Sequence, residues 1–123
     1  MKKVLIVDDE QSIVELLSES LSMSGYDCLG ANSVNEAKDI LNQFKDVDVI
    51  LSDMVMPGET GKELVNWVKS TNYAAVSIFF MTGYSTVDRA ELFGMGITDI
   101  ISKPFDLNRL TSQIDFVVQQ ETA

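Results

Sequence analysis

A chain of 123 residues with 46% apolar and 23% charged side chains is long enough to bury the core of one domain and is ordinary globular material. Its formal charge of −10 works against gripping nucleic-acid phosphates, and no apolar run is long enough to cross a membrane. With no histidine there is no phosphohistidine and no His-based metal site, and with Cys28 as the single cysteine there is no internal disulfide.

Lys3–Val7 reads as a buried strand. Asp8, Asp9 and Glu10 interrupt the apolar N-terminus too early for a signal peptide, so the expected compartment is the cytoplasm. Gln11–Met23 is expected to be a helix with Ile13, Leu16, Leu17 and Leu21 inward, stopped by Ser24-Gly25. Tyr26–Ala31 reads as a second strand, with Cys28 as a small core residue. Ser33 and Glu36 have capping-box spacing ahead of a helix carrying Ala37, Ile40, Leu41 and Phe44.

Val47–Ser52 is the third expected strand, diluted by Asp48. Met56-Pro57-Gly58 predicts a turn, and Gly61–Lys69 a helix with Leu64, Val65 and Val68 inward. Val76–Met81 is a strongly apolar fourth strand, followed by a short helix over Thr86–Phe93 closed by Gly94 and Gly96. Thr98–Ile101 is the fifth strand, and Asp106 caps a last helix through Gln119 with Leu107, Leu110, Ile114 and Val117 on one face. No repeat or linker-like segment interrupts the pattern, so residues 1–123 are read as one domain. The expected fold class is α/β: a (βα)5, doubly wound, flavodoxin-like fold with a five-stranded parallel sheet in the order 2-1-3-4-5 and helices on both faces.

Chemistry-bearing residues fall just past the expected strand ends, which a parallel sheet brings into one crevice. Asp8 and Asp9 follow the first strand, Asp53 the third, and Lys103 the fifth. Alone, an acidic pair after a strand reads equally well as a helix-capping loop, and a strand-end lysine as a solvated group. Together, oxygen ligands without His or Cys suit Mg²⁺, and the lysine suggests a dianionic ligand. Asp53 is the candidate phosphoacceptor, since a carboxylate is a competent nucleophile toward phosphorus. Thr82, at the end of the fourth strand, carries a hydroxyl able to donate to a phosphoryl oxygen, and Gly83 would permit close backbone approach. A cis bond at Lys103-Pro104 would aim the ammonium over the strand ends.

Val-Asp-Asp-Glu (7–10), Ser-Asp-Met-Val-Met-Pro-Gly (52–58), Gly61, Met-Thr-Gly-Tyr (81–84) and Lys-Pro-Phe (103–105) jointly resemble the receiver domain of two-component response regulators, from Val4 to about Gln119. The resemblance implies Mg²⁺-dependent phosphotransfer to Asp53 from a histidine kinase or histidine phosphotransfer protein. It implies a metal site of Asp8, Asp9, Asp53 and the backbone carbonyl of Val55, with Thr82 and Lys103 contacting the phosphoryl group. It also implies a protein that catalyses only its own phosphorylation and dephosphorylation. Such domains are monomers or pair on phosphorylation, and they offer the fourth helix, fifth strand and fifth helix to partners, here including Arg89, Glu91, Asp99, Asn108 and Gln113. Those residues equally fit a solvated face.

Two positions bear on the switch. The family's inward-turning aromatic, three residues before the lysine, is here Ile100, a departure from the pattern. Tyr84 and Val55 occupy the positions that tune dephosphorylation in the family, and a bulky and an apolar residue there imply slow loss of the phosphoryl group. A haloacid-dehalogenase-like phosphatase would place its nucleophile after the first strand and its acidic pair after the lysine; here the order is reversed. A flavin-mononucleotide binder would want a phosphate loop where this chain has three acids. A degenerate, scaffolding receiver is disfavoured because all five site positions are present.

Overall fold

The alternating apolar and amphipathic stretches form strands and helices in strict βα order. They are β1 (Lys3–Val7), α1 (Gln11–Met23), β2 (Asp27–Ala31), α2 (Val34–Gln43), β3 (Val49–Asp53), α3 (Gly61–Lys69), β4 (Ser77–Thr82), α4 (Arg89–Gly94), β5 (Asp99–Ser102) and α5 (Leu107–Thr122). The structure, a computed structural model, describes residues 2–56, 58–71, 76–83 and 88–122. All strand pairs are parallel, in the order β2-β1-β3-β4-β5. This is the doubly wound arrangement expected from the sequence.

The central strands are continuous apolar runs because both of their faces are buried. Leu5, Val7, Ile50, Ile78 and Phe80 point to a core shared with α2, α3 and α4. Val4, Ile6, Val49, Leu51, Phe79 and Met81 point the other way, to a core shared with α1 and α5. Edge strand β2, by contrast, buries only Ala31 fully.

Local chemistry explains most element boundaries. Helix α1 ends in a Schellman motif: Gly25 takes φ 95°, its N–H reaches the Ser22 carbonyl, and the Tyr26 N–H reaches the Leu21 carbonyl. Tyr26 and Leu21 then join the same core. Thr60 and Glu63 form a reciprocal capping box at α3, while Ser33 caps α2 by accepting from the Glu36 N–H. Asp106 accepts from the Asn108 and Arg109 N–H groups ahead of α5.

Several expectations shift. Leu16 is 43% exposed, not inward; the buried stripe of α1 is Val14, Leu17 and Leu21, and Leu16 lies off that arc. Strand β3 starts at Val49 because Asp48 folds its carboxylate back onto the Lys3 N–H at 2.9 Å. Asp88 caps α4 through the Glu91 N–H, so that helix begins at Arg89 and runs through Gly94. The expected start at Thr86 and the turn residue Pro57 lie outside the described residues. Cys28 is only partly buried, packed against the α1/α5 core.

Ile114 is fully buried where α5 meets the sheet. Ile114→Ala is expected to lower the unfolding free energy by about 2–5 kcal/mol, read from urea denaturation. A loss under half a kilocalorie (~0.5 kcal/mol) would mean that α5 is not docked as described.

Candidate functional site

Parallel strands bring the C-terminal ends of β1, β3, β4 and β5 to one edge of the sheet. Three backbone bonds extend the ladder past those ends. The Asp8 N–H reaches the Ala31 carbonyl at 3.1 Å, the Met54 N–H the Met81 carbonyl at 3.0 Å, and the Lys103 N–H the Thr82 carbonyl at 2.7 Å. The loops carrying the acids and the lysine are therefore held side by side.

Asp8 is fully buried, Asp53 is partly buried and Asp9 is exposed. Each offers a carboxylate oxygen, and these oxygens lie within 4.8 Å of one another. Such an all-oxygen cluster can coordinate a hard divalent cation. The Asp8 Oδ1 accepts from the Glu10 N–H at 2.9 Å, and its Oδ2 faces the Lys103 Nζ at 3.3 Å. The Asp53 Oδ1 accepts from the Val55 N–H at 3.3 Å, and its Oδ2 lies 3.5 Å from the same ammonium. Lys103 thus bridges two carboxylates. The Lys103-Pro104 bond is cis.

Burial pushes the Asp8 carboxyl above the usual carboxylate range. Its bond from Glu10 and its pairing with Lys103 pull down, and Asp53 nearby pushes up again. Burial also lowers the Lys103 ammonium, yet Asp8 and Asp53 outweigh it and leave its pKa raised. The pairing favours the charged lysine, and it offsets only part of the penalty that burial places on the Asp8 carboxylate.

The apolar loop after Asp53 has a structural reason. Met56 is buried and Met54 packs against the α2–α4 core, leaving Val55 as the half-exposed member. Gly61 starts α3 against this loop, and its N–H reaches the Met54 carbonyl. A Cβ at Gly61 would sit 2.7 Å from the Asp53 carbonyl oxygen and 2.9 Å from the Phe80 ring, so only glycine fits. Gly83 shows no such constraint: a Cβ there would meet open space.

Thr82 is buried at the end of β4, beside Ser102 of β5. Ile100 is buried at 7% exposure, opposite Phe80, and packs into the α2–α4 core. Tyr84 lies outside the described residues. One contact had no local sequence signal: Asn32, at the end of β2, donates its Nδ2 to the Asp8 carbonyl at 3.1 Å.

A doubly wound parallel sheet with an acid cluster and a lysine at its strand ends is the architecture of a receiver domain. The profile of the response regulator receiver domain matches residues 4–115, and the chain belongs to that family. It is similar to the response regulator protein FleR of Pseudomonas aeruginosa, 33% identical over 109 residues, covering 88% of this chain and 23% of that protein. It is similar also to the phosphate regulon transcriptional regulatory protein PhoB of the same organism, 32% identical over 121 residues, covering 97% and 52%. The chain therefore spans about half or less of these curated relatives. Among solved structures it resembles the chemotaxis response regulator CheY4 of Vibrio cholerae, 33% identical with a TM-score of 0.88, covering 95% and 98%. A receiver domain from Clostridium thermocellum superposes with a TM-score of 0.90 at 25% identity, covering 99% and 98%. Among the described residues no helix is long and apolar enough to cross a membrane.

Because the Asp8 pKa is raised by folding, ionising Asp8 opposes folding. The penalty is absent below the unfolded-chain pKa and complete above the raised one. In metal-free buffer, Asp8→Asn is expected to raise the urea midpoint at pH 7–8, with the gain disappearing as the pH falls below about 4. An unchanged or lower midpoint at pH 8 would show that the Lys103 pair outweighs the desolvation.

Proposed function

We propose that this chain is a phosphoryl-accepting signalling module in which Asp53 takes a phosphoryl group from a phosphohistidine donor. The observation that carries the reading is the meeting of Asp8, Asp9 and Asp53 around one point, with the Lys103 ammonium against two of them. The donor set, all carboxylate oxygen, fits Mg²⁺, with the backbone carbonyl of Val55 as a further ligand. When bound, the ion supplies positive charge that screens the repulsion between the Asp53 carboxylate and the incoming phosphoryl oxygens.

The protein's own groups then divide the work. An Asp53 carboxylate oxygen attacks phosphorus and displaces the donor imidazole, forming the aspartyl phosphate on this chain. Lys103, held at 3.3 and 3.5 Å from its present partners, turns its charge from the carboxylates to the new phosphoryl oxygens. Thr82 donates its hydroxyl to one of those oxygens. The protein catalyses only its own phosphorylation, which returns the dephosphorylated donor, and its own dephosphorylation, in which water releases inorganic phosphate and restores the Asp53 carboxylate.

The donor is a histidine kinase or histidine phosphotransfer protein, and the domain, residues 1–123, works in the cytoplasm without binding nucleic acid itself. The answering surface is the α4–β5–α5 face. There Arg89 lies over the Phe93 ring, Gln113 donates to Asp99, and a groove of about 430 Å³ runs between β5 and α5 beside Ile100, Phe105 and Arg109. With Ile100 in place of an aromatic, the switch repacks an aliphatic side chain against Phe80. Val55 and Tyr84 shield the acyl phosphate from water, and its loss is slow. The domain is a monomer or pairs with a second copy only on phosphorylation.

Incubation with Mg²⁺ and acetyl phosphate is expected to add one phosphoryl group, base-labile and seen by intact-mass spectrometry. Asp53→Asn is expected to abolish it. Asp9→Ala should weaken Mg²⁺ binding about tenfold or more, and Lys103→Ala should slow phosphorylation by a similar factor. No added mass in the wild type under donor excess would defeat the reading. Followed after donor removal, the phosphoryl group is expected to persist for minutes or longer; loss within seconds would contradict the shielding by Val55 and Tyr84.

A further inference from the structure

The carbonyl of Asp8 lies beyond the last rung of the β1–β2 ladder. The final paired residues are Val7 and Ala31, and the Asp8 N–H still finds the Ala31 carbonyl at 3.1 Å. For the Asp8 carbonyl the ladder offers nothing further, because the chain after Ala31 leaves the sheet for the Ser33 cap of α2. The side chain of Asn32 takes over, its Nδ2 donating to the Asp8 oxygen at 3.1 Å across 24 residues of sequence. A carbonyl oxygen only accepts, so the amide nitrogen, not the amide oxygen, must face it.

Both peptide groups of Asp8 are consequently held by the end of β2: the Val7–Asp8 plane through the Asp8 N–H and the Asp8–Asp9 plane through the Asp8 carbonyl. The second of these planes carries Asp9, the exposed member of the acid cluster. Asp8 itself is fixed further by Glu10 and Lys103. No side-chain bond to the Asp9 carboxylate appears among the described residues, so the direction of the Asp9 carboxylate depends on the backbone beneath it. A donor that orients a ligand from outside the ligand set typically changes metal affinity about tenfold or more.

We propose that Asn32 is a positioning residue for the divalent-cation site, acting through the Asp8 carbonyl to aim Asp9; this rests on the reading of the acid cluster as a Mg²⁺ site. Asn32 touches neither the ion nor the phosphoryl group. Its effect belongs in cation affinity, not in the rate once the site is filled.

The test is calorimetric titration of the full chain with MgCl₂, paired with acetyl-phosphate phosphorylation rates at saturating Mg²⁺. Asn32→Leu removes the donor at similar size. Asn32→Asp removes it while adding a negative charge that, acting through space alone, would tighten binding. Asn35→Leu, on the exposed start of α2, serves as a control. Both Asn32 variants are expected to weaken Mg²⁺ about tenfold while the saturated rate stays within about twofold of wild type. Wild-type affinity in either folded Asn32 variant, tighter binding in Asn32→Asp, or equal weakening in Asn35→Leu would overturn the assignment. Wild-type protein that binds no Mg²⁺ would remove the cation site itself and the role of Asn32 with it, an outcome distinct from a wild type that binds and variants that match it. Circular dichroism establishes folding, and two chemically different variants keep the comparison open if one fails to fold.

Discussion

Crowded negative charge at the end of a sheet is the constraint on which the rest of this structure turns. Asp8, Asp9 and Asp53 converge within a few ångströms, and the protein supplies one cation of its own, Lys103, to hold two of them. The compensation is incomplete, since Asp8 still has its pKa pushed upward by burial. A site left partly unbalanced in this way has a reserve of attraction for added positive charge. Stability is given up locally for function, as is common where strained or repelling groups cluster.

The scaffold tolerates that repulsion because the loops cannot separate. Each site loop begins with a backbone bond to the neighbouring strand, and those strands are buried on both faces by two apolar cores. Moving Asp53 away from Asp8 would break ladder bonds in β1 and β3 and open a close-packed interior. Gly61 and the methionines around Val55 extend the same rigidity into the loop itself. Met54 and Met56 anchor it to the core, and Gly61 lets α3 start directly against the Asp53 carbonyl.

Beyond the site, β4 and β5 are the connection to the outer face. The Lys103 N–H is bonded to the Thr82 carbonyl, so the lysine and the hydroxyl residue sit on adjoining strand ends. Three residues back along β5, Ile100 packs opposite Phe80, whose ring also limits Gly61. A rearrangement at Thr82 and Lys103 therefore meets a tightly filled aliphatic–aromatic contact. On α3 and α4, Lys62 and Glu91 form an exposed ion pair across the same region. Its exposure makes it a weak tie, of the kind that yields when a helix shifts.

Read from the sequence alone, the helices Gln11–Met23 and Gly61–Lys69 and the strand order were already legible, because burial on both faces writes continuous apolar runs and Schellman and capping signals are local. The acids and the lysine were legible too, since parallel strands must present their ends together. Leu16 was not, because a helix's buried arc is set by what it packs on, not by its own periodicity. Nor was the pairing of Lys103 with Asp8, residues 95 positions apart that meet only after the sheet closes. The Asn32 contact and the tight fit at Gly61 belong to the same class: they are distances between distant segments, and distance exists only once the chain has folded. Sequence by itself determined the chemical identity of the groups at the strand ends; tertiary structure alone decided which of them touch, because Coulomb repulsion and hydrogen bonding act through space.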